Sequence, residues 1–306
     1  MVVDMADVTP HLVAGEDLPF PLAAQQRWDG PEAVSPVELA DGARQWADLA
    51  YARLGGFRPL RLDLTVPPGA DPTSPVPVVV YVHGGGFVHG SHHGPMFGIA
   101  EALVAQGIAV ASVQYRLIGE SQFPGPLHDV VSAVRWVRGV GREFGLDPDR
   151  VGIMGESAGG HLATFAGLHT GDLQLEGVVG VVGPEPVVRA AVGWYPVTDF
   201  GRFDGEPFPV ASPSAGTESP TAEELARWAS PVTHVTARAA PMLLIHGDTD
   251  LEVDHGHSEA LAALLTDSGV SVELVIVPGA GHVFAGADPA PIVARTVEWL
   301  ADKLSA

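Results

Sequence analysis

Val76-Pro77-Val78-Val79-Val80-Tyr81-Val82 is apolar at every position. Successive side chains of a strand point to opposite faces, so such a run must be buried on both sides. That condition is met chiefly in parallel sheets covered by helices above and below. Ile108–Val113 is a second run of this kind, broken only by Ser112, and Val151–Met154, Ala190–Trp194, Met242–Ile245 and Val272–Val277 read as further strands down the chain. Between them, Val130, Val134, Val137 and Phe144 mark one face of a helix, and Ala158–Leu168, Asp254–Leu265 and Pro291–Leu300 also read as helices. The alternation predicts an α/β fold, a mostly parallel central sheet flanked by helices.

Two segments depart from this rhythm. Residues 1–33 read as irregular, and Ser35-Pro36-Val37-Glu38 joins an N-cap serine, a first-turn proline and a reciprocal glutamate. The helix these residues would open is expected to run to about Leu54 and stop at Gly55-Gly56, with Arg61–Val66 following as an outer strand. Phe200–Ser230 is a proline-rich insertion with a short helix near Ala222–Trp228. One domain over residues 1–306 is expected, with a cap region at 1–56 and a cap insertion at 200–230.

At 306 residues the chain can bury roughly three quarters of its unfolded surface and needs no staple. It has no cysteine, which removes disulfides, thiol nucleophiles and cysteine metal sites and fits a reducing interior. Its formal charge of −21, with Lys303 as the single lysine, argues against nucleic acid and anionic membrane as partners. The first residues lack the basic start and apolar core of a signal peptide. The apolar runs fall far short of the ~20 residues of a membrane span. A cytoplasmic protein is expected, acting on a small molecule, with a homodimer as the candidate assembly.

The first chemical signal is Gly155-Glu156-Ser157-Ala158-Gly159, set between a predicted strand and a predicted helix. A serine hydroxyl is a poor nucleophile and needs exposure plus a nearby base. A sharp strand-to-helix turn supplies the exposure if the flanking residues lack side chains that would clash. Alone, the pentapeptide favours a nucleophile over a glycine-rich phosphate or packing turn, and its place between strand and helix adds to that. The second signal is His83-Gly84-Gly85-Gly86-Phe87, directly after the Val76–Val82 strand. Consecutive glycines let main-chain N–H groups approach a developing oxyanion, which makes Gly85, Gly86 and Ala158 candidate donors.

The remaining signals supply a base and an acid. His246-Gly247-Asp248-Thr249-Asp250 follows the Met242–Ile245 strand, and Pro278-Gly279-Ala280-Gly281-His282 follows Val272–Val277. The order Ser157, Asp250, His282 matches the nucleophile, acid, base order of one hydrolase class. Asp248 is the alternative acid, better explained as a turn residue bonded to its own backbone. His83 is expected to order the glycine loop and His161 to be packed on the helix after Ser157. His92-His93 and His255-x-His257 suggest metal, but no carboxylates at a recognisable ligand spacing accompany them, so no metal is expected.

Together His83–Gly86, Tyr115-Arg116-Leu117, Phe123-Pro124, Gly155–Gly159, Asp250 and His282 resemble the α/β-hydrolase superfamily. The likeness, over roughly residues 58–303, is to bacterial HGGG-type carboxylesterases related to hormone-sensitive lipase. The resemblance implies a structural role for Arg116 and Asp129. Glu156 and His161 stand where that branch usually carries Asp and Asn, and Gly-Glu-Ser-Ala-Gly-Gly-His looks closer to feruloyl-esterase-like and acetyl-xylan-esterase-like proteins and kynurenine formamidases. The expected activity is hydrolysis of carboxylic esters through an acyl-enzyme, without a cofactor, and falling on acidification because the imidazole base must be neutral. An arylformamidase, a sugar or secondary-metabolite acetyl hydrolase and a non-catalytic receptor are the competing readings. Trp28, Phe87, Trp194, Tyr195 and Phe200 are candidate pocket walls.

Overall fold

The computed structural model describes residues 35–180, 184–203 and 221–305. Its strands are β1 (Val37–Glu38), β2 (Arg44–Ala52), β3 (Leu60–Val66), β4 (Val76–Val82), β5 (Ala109–Val113), β6 (Leu146–Glu156), β7 (Ala190–Trp194), β8 (Met242–Gly247) and β9 (Val272–Val277). They form one sheet in the order β1-β2-β3-β5-β4-β6-β7-β8-β9. The pairs from β1 to β5 are antiparallel, and every pair from β5 through β4 to β9 is parallel. The helices that matter below are α1 (Ile99–Ala105), α2 (Gly125–Val140), α3 (Ala158–Gly167), α4 (Leu173–Glu176), α5 (Ala222–Ala229), α6 (Gly256–Asp267) and α7 (Ala290–Leu304).

The apolar run of β4 divides as the pleat requires. Val78, Val80 and Val82 enter one buried cluster with Val130 and Val134 of α2, Leu162 of α3 and Leu261 of α6. Val79 and Tyr81 enter the other, with Leu103 of α1 and Leu300 and Leu304 of α7. Helices therefore cover both faces, as the continuous runs predict. Under α2, the Arg116 guanidinium grips the buried Asp129 carboxylate through Nε (2.8 Å) and Nη2 (2.7 Å), while the Arg116 main-chain N–H donates to the same group at 2.8 Å. This is the structural role the resemblance implies. No helix among the described residues is long and apolar enough to cross a membrane.

The N-terminal expectation is corrected by the fold. Instead of a helix from Ser35 to Leu54, the chain makes a turn at Leu39–Gly42 and runs back as β2 against β3. A capping serine stabilises a helix by about 1 kcal/mol. Against that, β2 gains a ladder with β3 and buries Leu49, Tyr51 and Ala52 in the core. Residues 37–52 are thus part of the sheet and not of a cap. β3 in turn lies inside the sheet, between β2 and β5, with Leu60, Leu62, Leu64 and Val66 buried. In the 200–230 insertion the expected helix is present as α5, opened by a capping box between Thr221 and Glu224.

Candidate active site

Because β4, β6, β8 and β9 are parallel, the segments leaving their C-terminal ends emerge at one edge of the sheet. β4 ends at the glycine loop, β6 at Ser157, β8 at the Asp250 loop and β9 at the His282 loop.

Ser157 has φ 53° and ψ −118°, a conformation few non-glycine residues adopt. Its N–H is tied to the Trp194 carbonyl at 2.9 Å, and its own carbonyl accepts from His161 N–H at 2.9 Å. The turn fits because its flanks are bare: a Cβ on Gly159 would lie 2.1 Å from the Val82 carbonyl oxygen. The elbow then presents Oγ at the N-terminus of α3, where the helix dipole favours negative charge.

Ser157 Oγ lies 3.1 Å from His282 Nε2, and His282 Nδ1 lies 2.7 Å from Asp250 Oδ2. The other Asp250 oxygen accepts the N–H groups of Glu252 and Val253, each at 2.9 Å. Burial opposes ionisation of Asp250, but hydrogen bonding from His246, His282 and the Val253 amide outweighs it, and the carboxyl is held well below the usual range. His246 Nε2 is 3.4 Å from Asp250 and 2.8 Å from the Val253 carbonyl, so the latter is its closer partner. Asp248 does not reach His282. Rather than bonding its own backbone, as expected, it accepts the N–H of Gly279 at 2.6 Å and ties the acid loop to the histidine loop.

Gly85, Gly86 and Ala158 all line the cleft beside Ser157, which has a volume of about 530 Å³. No described residue accepts from the N–H of Gly85 or Gly86. Gly85 has φ 108°, and a Cβ there would lie 2.2 Å from the His89 carbonyl oxygen, so the close turn requires glycine. His83 orders this loop as expected, its Nδ1 2.7 Å from the Gly84 carbonyl oxygen and its ring stacked on Tyr115 at 4.4 Å.

Glu156 is a residue of the candidate site whose contacts were not legible in the chain. Buried beside the nucleophile, it accepts Gly84 N–H at 2.8 Å, the Tyr195 hydroxyl at 3.2 Å and the Tyr81 hydroxyl at 3.4 Å. Burial drives the Tyr195 and Tyr81 hydroxyls far above their ordinary pKa, keeping both as donors. One side chain thus joins the elbow, the glycine loop and β7. The motif signals a glutamate before the serine but not its partners, which lie 39 to 75 residues away.

The pocket-wall expectations fare unevenly. Phe87 lines the cleft. Trp194 does not: it points to the opposite face of the sheet, fully buried, with Nε1 donating to Thr296 of α7 at 3.0 Å. Tyr195 is also fully buried and packs edge-on against the His282 ring at 4.9 Å, bracing the histidine instead of facing the cleft. Phe200 sits one layer back, packed on His161 at 5.2 Å and on Phe87 at 6.5 Å. Trp28 lies outside the described residues. The cleft walls that sequence reasoning missed include Phe203, Val253, Val283 and His89. His161 is packed as expected, its Nδ1 3.0 Å from the Val197 carbonyl oxygen.

A family model described as BD-FAE matches residues 62–265, from β3 to α6. The chain belongs to the BD-FAE family. Among curated relatives it is 34% identical over 273 residues to the esterase LipC of Mycobacterium tuberculosis, covering 84% of this chain and 65% of that one. It is 29% identical to the ethyl acetate hydrolase of Pseudomonas putida, covering 84% of this chain and 77% of the other. The chain spans about half to two thirds of the length of its mycobacterial relatives LipC, LipM, LipQ and LipI. Among solved structures it is similar to a truncated carbohydrate esterase from gut microbiota, with TM-score 0.74 and 25% identity over 90% of this chain and 100% of that one. It is also similar to Thermogutta terrifontis esterase 2 phosphorylated by paraoxon, with TM-score 0.66 and 25% identity over 84% and 91%. The fold is that of the α/β-hydrolase esterases.

Proposed function

We propose that this BD-FAE protein is a serine carboxylesterase acting on esters of small to medium acyl chain. The observation that carries the reading is the unbroken relay from Ser157 Oγ through His282 to Asp250, at 3.1 and 2.7 Å. In this scheme His282 Nε2 takes the Ser157 proton as Oγ attacks the acyl carbon. Asp250 holds the imidazole tautomer and stabilises the imidazolium. The N–H groups of Gly85, Gly86 and Ala158 receive the oxyanion. His282 returns the proton to the departing alcohol, and water, activated by the same imidazole, hydrolyses the acyl-enzyme. Every part is a side chain or a main-chain amide, and the cysteine-free composition suits a cytoplasmic setting. Replacing Ser157 by Ala is expected to lower kcat on p-nitrophenyl esters by about 10⁴-fold or more. Unchanged turnover in the folded variant would overturn the assignment.

A second reading, release of acetyl groups from a sugar, is favoured by the likeness, over 90% of this chain, to a truncated carbohydrate esterase. Rates on p-nitrophenyl acetate, longer p-nitrophenyl esters and an acetylated xyloside, measured side by side, decide between the two. N-formylkynurenine in the same panel tests the formamidase alternative.

A further inference from the structure

The glycine loop runs past the cleft from Gly84 to Gly94, with Ser91 and Gly94 still on its wall. Between those two, His92 and His93 turn away toward the antiparallel edge of the sheet. There they meet carboxylates that are remote in the chain. His92 Nε2 lies 3.0 Å from Asp48 Oδ1 and 3.7 Å from Asp63 Oδ1. His93 Nδ1 lies 2.7 Å from Asp63 Oδ2, while its Nε2 faces Asp48 Oδ1 at 4.0 Å. The two rings are 4.0 Å apart. Asp48, His92 and His93 offer ligand atoms that all lie within 4.8 Å of one another.

The backbone is shaped for this meeting. The β2–β3 register breaks between Trp46 and Leu49, and within that bulge Asp48 takes φ 57°. A bulge re-aims a side chain, and the left-handed conformation costs about 1 kcal/mol or more in a non-glycine residue. Asp63 holds the arrangement by accepting Asp48 N–H at 2.8 Å, and Arg61 donates to the Asp48 carbonyl. His92 is buried, and its Nδ1 has no hydrogen-bond partner among the described residues. Asp48 and His93 are half-exposed, which leaves a path for an ion.

We propose that Asp48, His92 and His93, with Asp63 orienting His93 from behind, form a site for one divalent transition-metal ion of the Zn²⁺ type, which braces the glycine loop against β2 and β3. Two imidazoles and a carboxylate suit zinc, and a carboxylate bonded to the far nitrogen of a ligating histidine is the usual outer support. Zinc bonds of about 2.0–2.2 Å in a tetrahedron put ligand atoms roughly 3.3–3.6 Å apart. The observed separations of 3.0 and 4.0 Å from Asp48 Oδ1 to the two Nε2 atoms bracket that value, so small side-chain rotations close the site. Water completes the coordination on the open side. The ion has no part in the Ser157 relay, so the site stands or falls independently of the esterase reading.

The test uses the whole chain, stripped with chelator and titrated with Zn²⁺ alone by calorimetry and by metal analysis after dialysis. One Zn²⁺ per chain is expected, with a rise in Tm. Binding is expected to weaken at least tenfold in the double variant Asp48→Ala/His93→Ala, whose side chains are half-exposed and whose fold is checked by circular dichroism. His93→Gln alone serves if the double variant unfolds. A control variant, His255→Ala/Glu259→Ala, removes a second histidine–carboxylate pair on the surface and is expected to keep the ion. Equal affinity in wild type and the Asp48 or His93 variants, or loss of the ion in the control, would overturn the proposal.

Discussion

Two histidine–carboxylate arrays sit in this chain, one at the parallel rim and one at the antiparallel edge. At the rim, Asp250 is buried and binds His282 at 2.7 Å, and the free nitrogen of that ring faces the Ser157 hydroxyl at 3.1 Å, with the exposed Glu252 carboxylate farther off at 4.0 Å. At the edge, Asp63 binds His93 at the same 2.7 Å, but the free nitrogen faces a second carboxylate, and a second imidazole stands beside it. The near contact is alike in both; the far side of the ring differs. On the readings proposed above, a hydroxyl within hydrogen-bonding reach suits the imidazole to act as a base, and a second imidazole beside it suits it to act as a ligand. Residue types and the first hydrogen bond do not assign the chemistry, whereas the group beyond the ring does.

The comparison can be broken first at the rim. Asp250→Asn keeps the shape but disturbs the tautomer, and a fall in kcat of about 10⁴-fold is expected on p-nitrophenyl acetate. A loss below tenfold would mean that His246 or another group orients His282 instead. A smaller effect is expected one step back from the reacting atoms. Glu156→Gln disturbs the anchoring of Gly84 and Tyr195, and a 10- to 100-fold drop in kcat with KM little changed is expected from misplaced amides. If KM alone rises, Glu156 shapes substrate binding and not the oxyanion donors.

Stability gives a third, more modest contrast, because other histidines are simply buried neutral. Burial pushes His83, His161 and His257 down to about 4. Their unfolded counterparts titrate near 6.5, so between those values the unfolded chain binds more protons than the native one. The stability linked to them is fully present above about pH 6.5 and is lost as pH falls toward 4. Each contributes a slope of at most about 1.4 kcal/mol per pH unit. Thermal melts at pH 7, 6 and 5 are expected to show a falling Tm, and His161→Gln, if it folds, a shallower fall. A Tm independent of pH over that range would contradict the neutral burial. The least effect belongs to the edge: without metal, Asp48→Asn is expected to move stability by no more than about 0.5 kcal/mol, as judged by urea denaturation. A large loss would make Asp48 a structural residue of the bulge.

What could be read from the chain alone was local or periodic. The run Val76–Val82 declares a strand buried on both faces because the pleat alternates every residue. The elbow around Ser157 and the loop after His83 are legible because close backbone turns demand glycine at set spacings. The Ser35 capping signal was equally local, and it misled. A cap offers about 1 kcal/mol, while the β2–β3 ladder pairs residues from Ala52 with Leu60 out to Arg44 with Val66, beyond the four-residue reach of a capping signal. Trp194, a candidate pocket wall by its size, packs against α7 for a related reason: aromatic size gives no side, and only the strand's phase does. Glu156 and the pair His92–His93 acquire partners 39 to 75 and 30 to 44 residues away. Separations of that length are bridged by sheet topology, so the tertiary fold alone decided which carboxylate meets which ring.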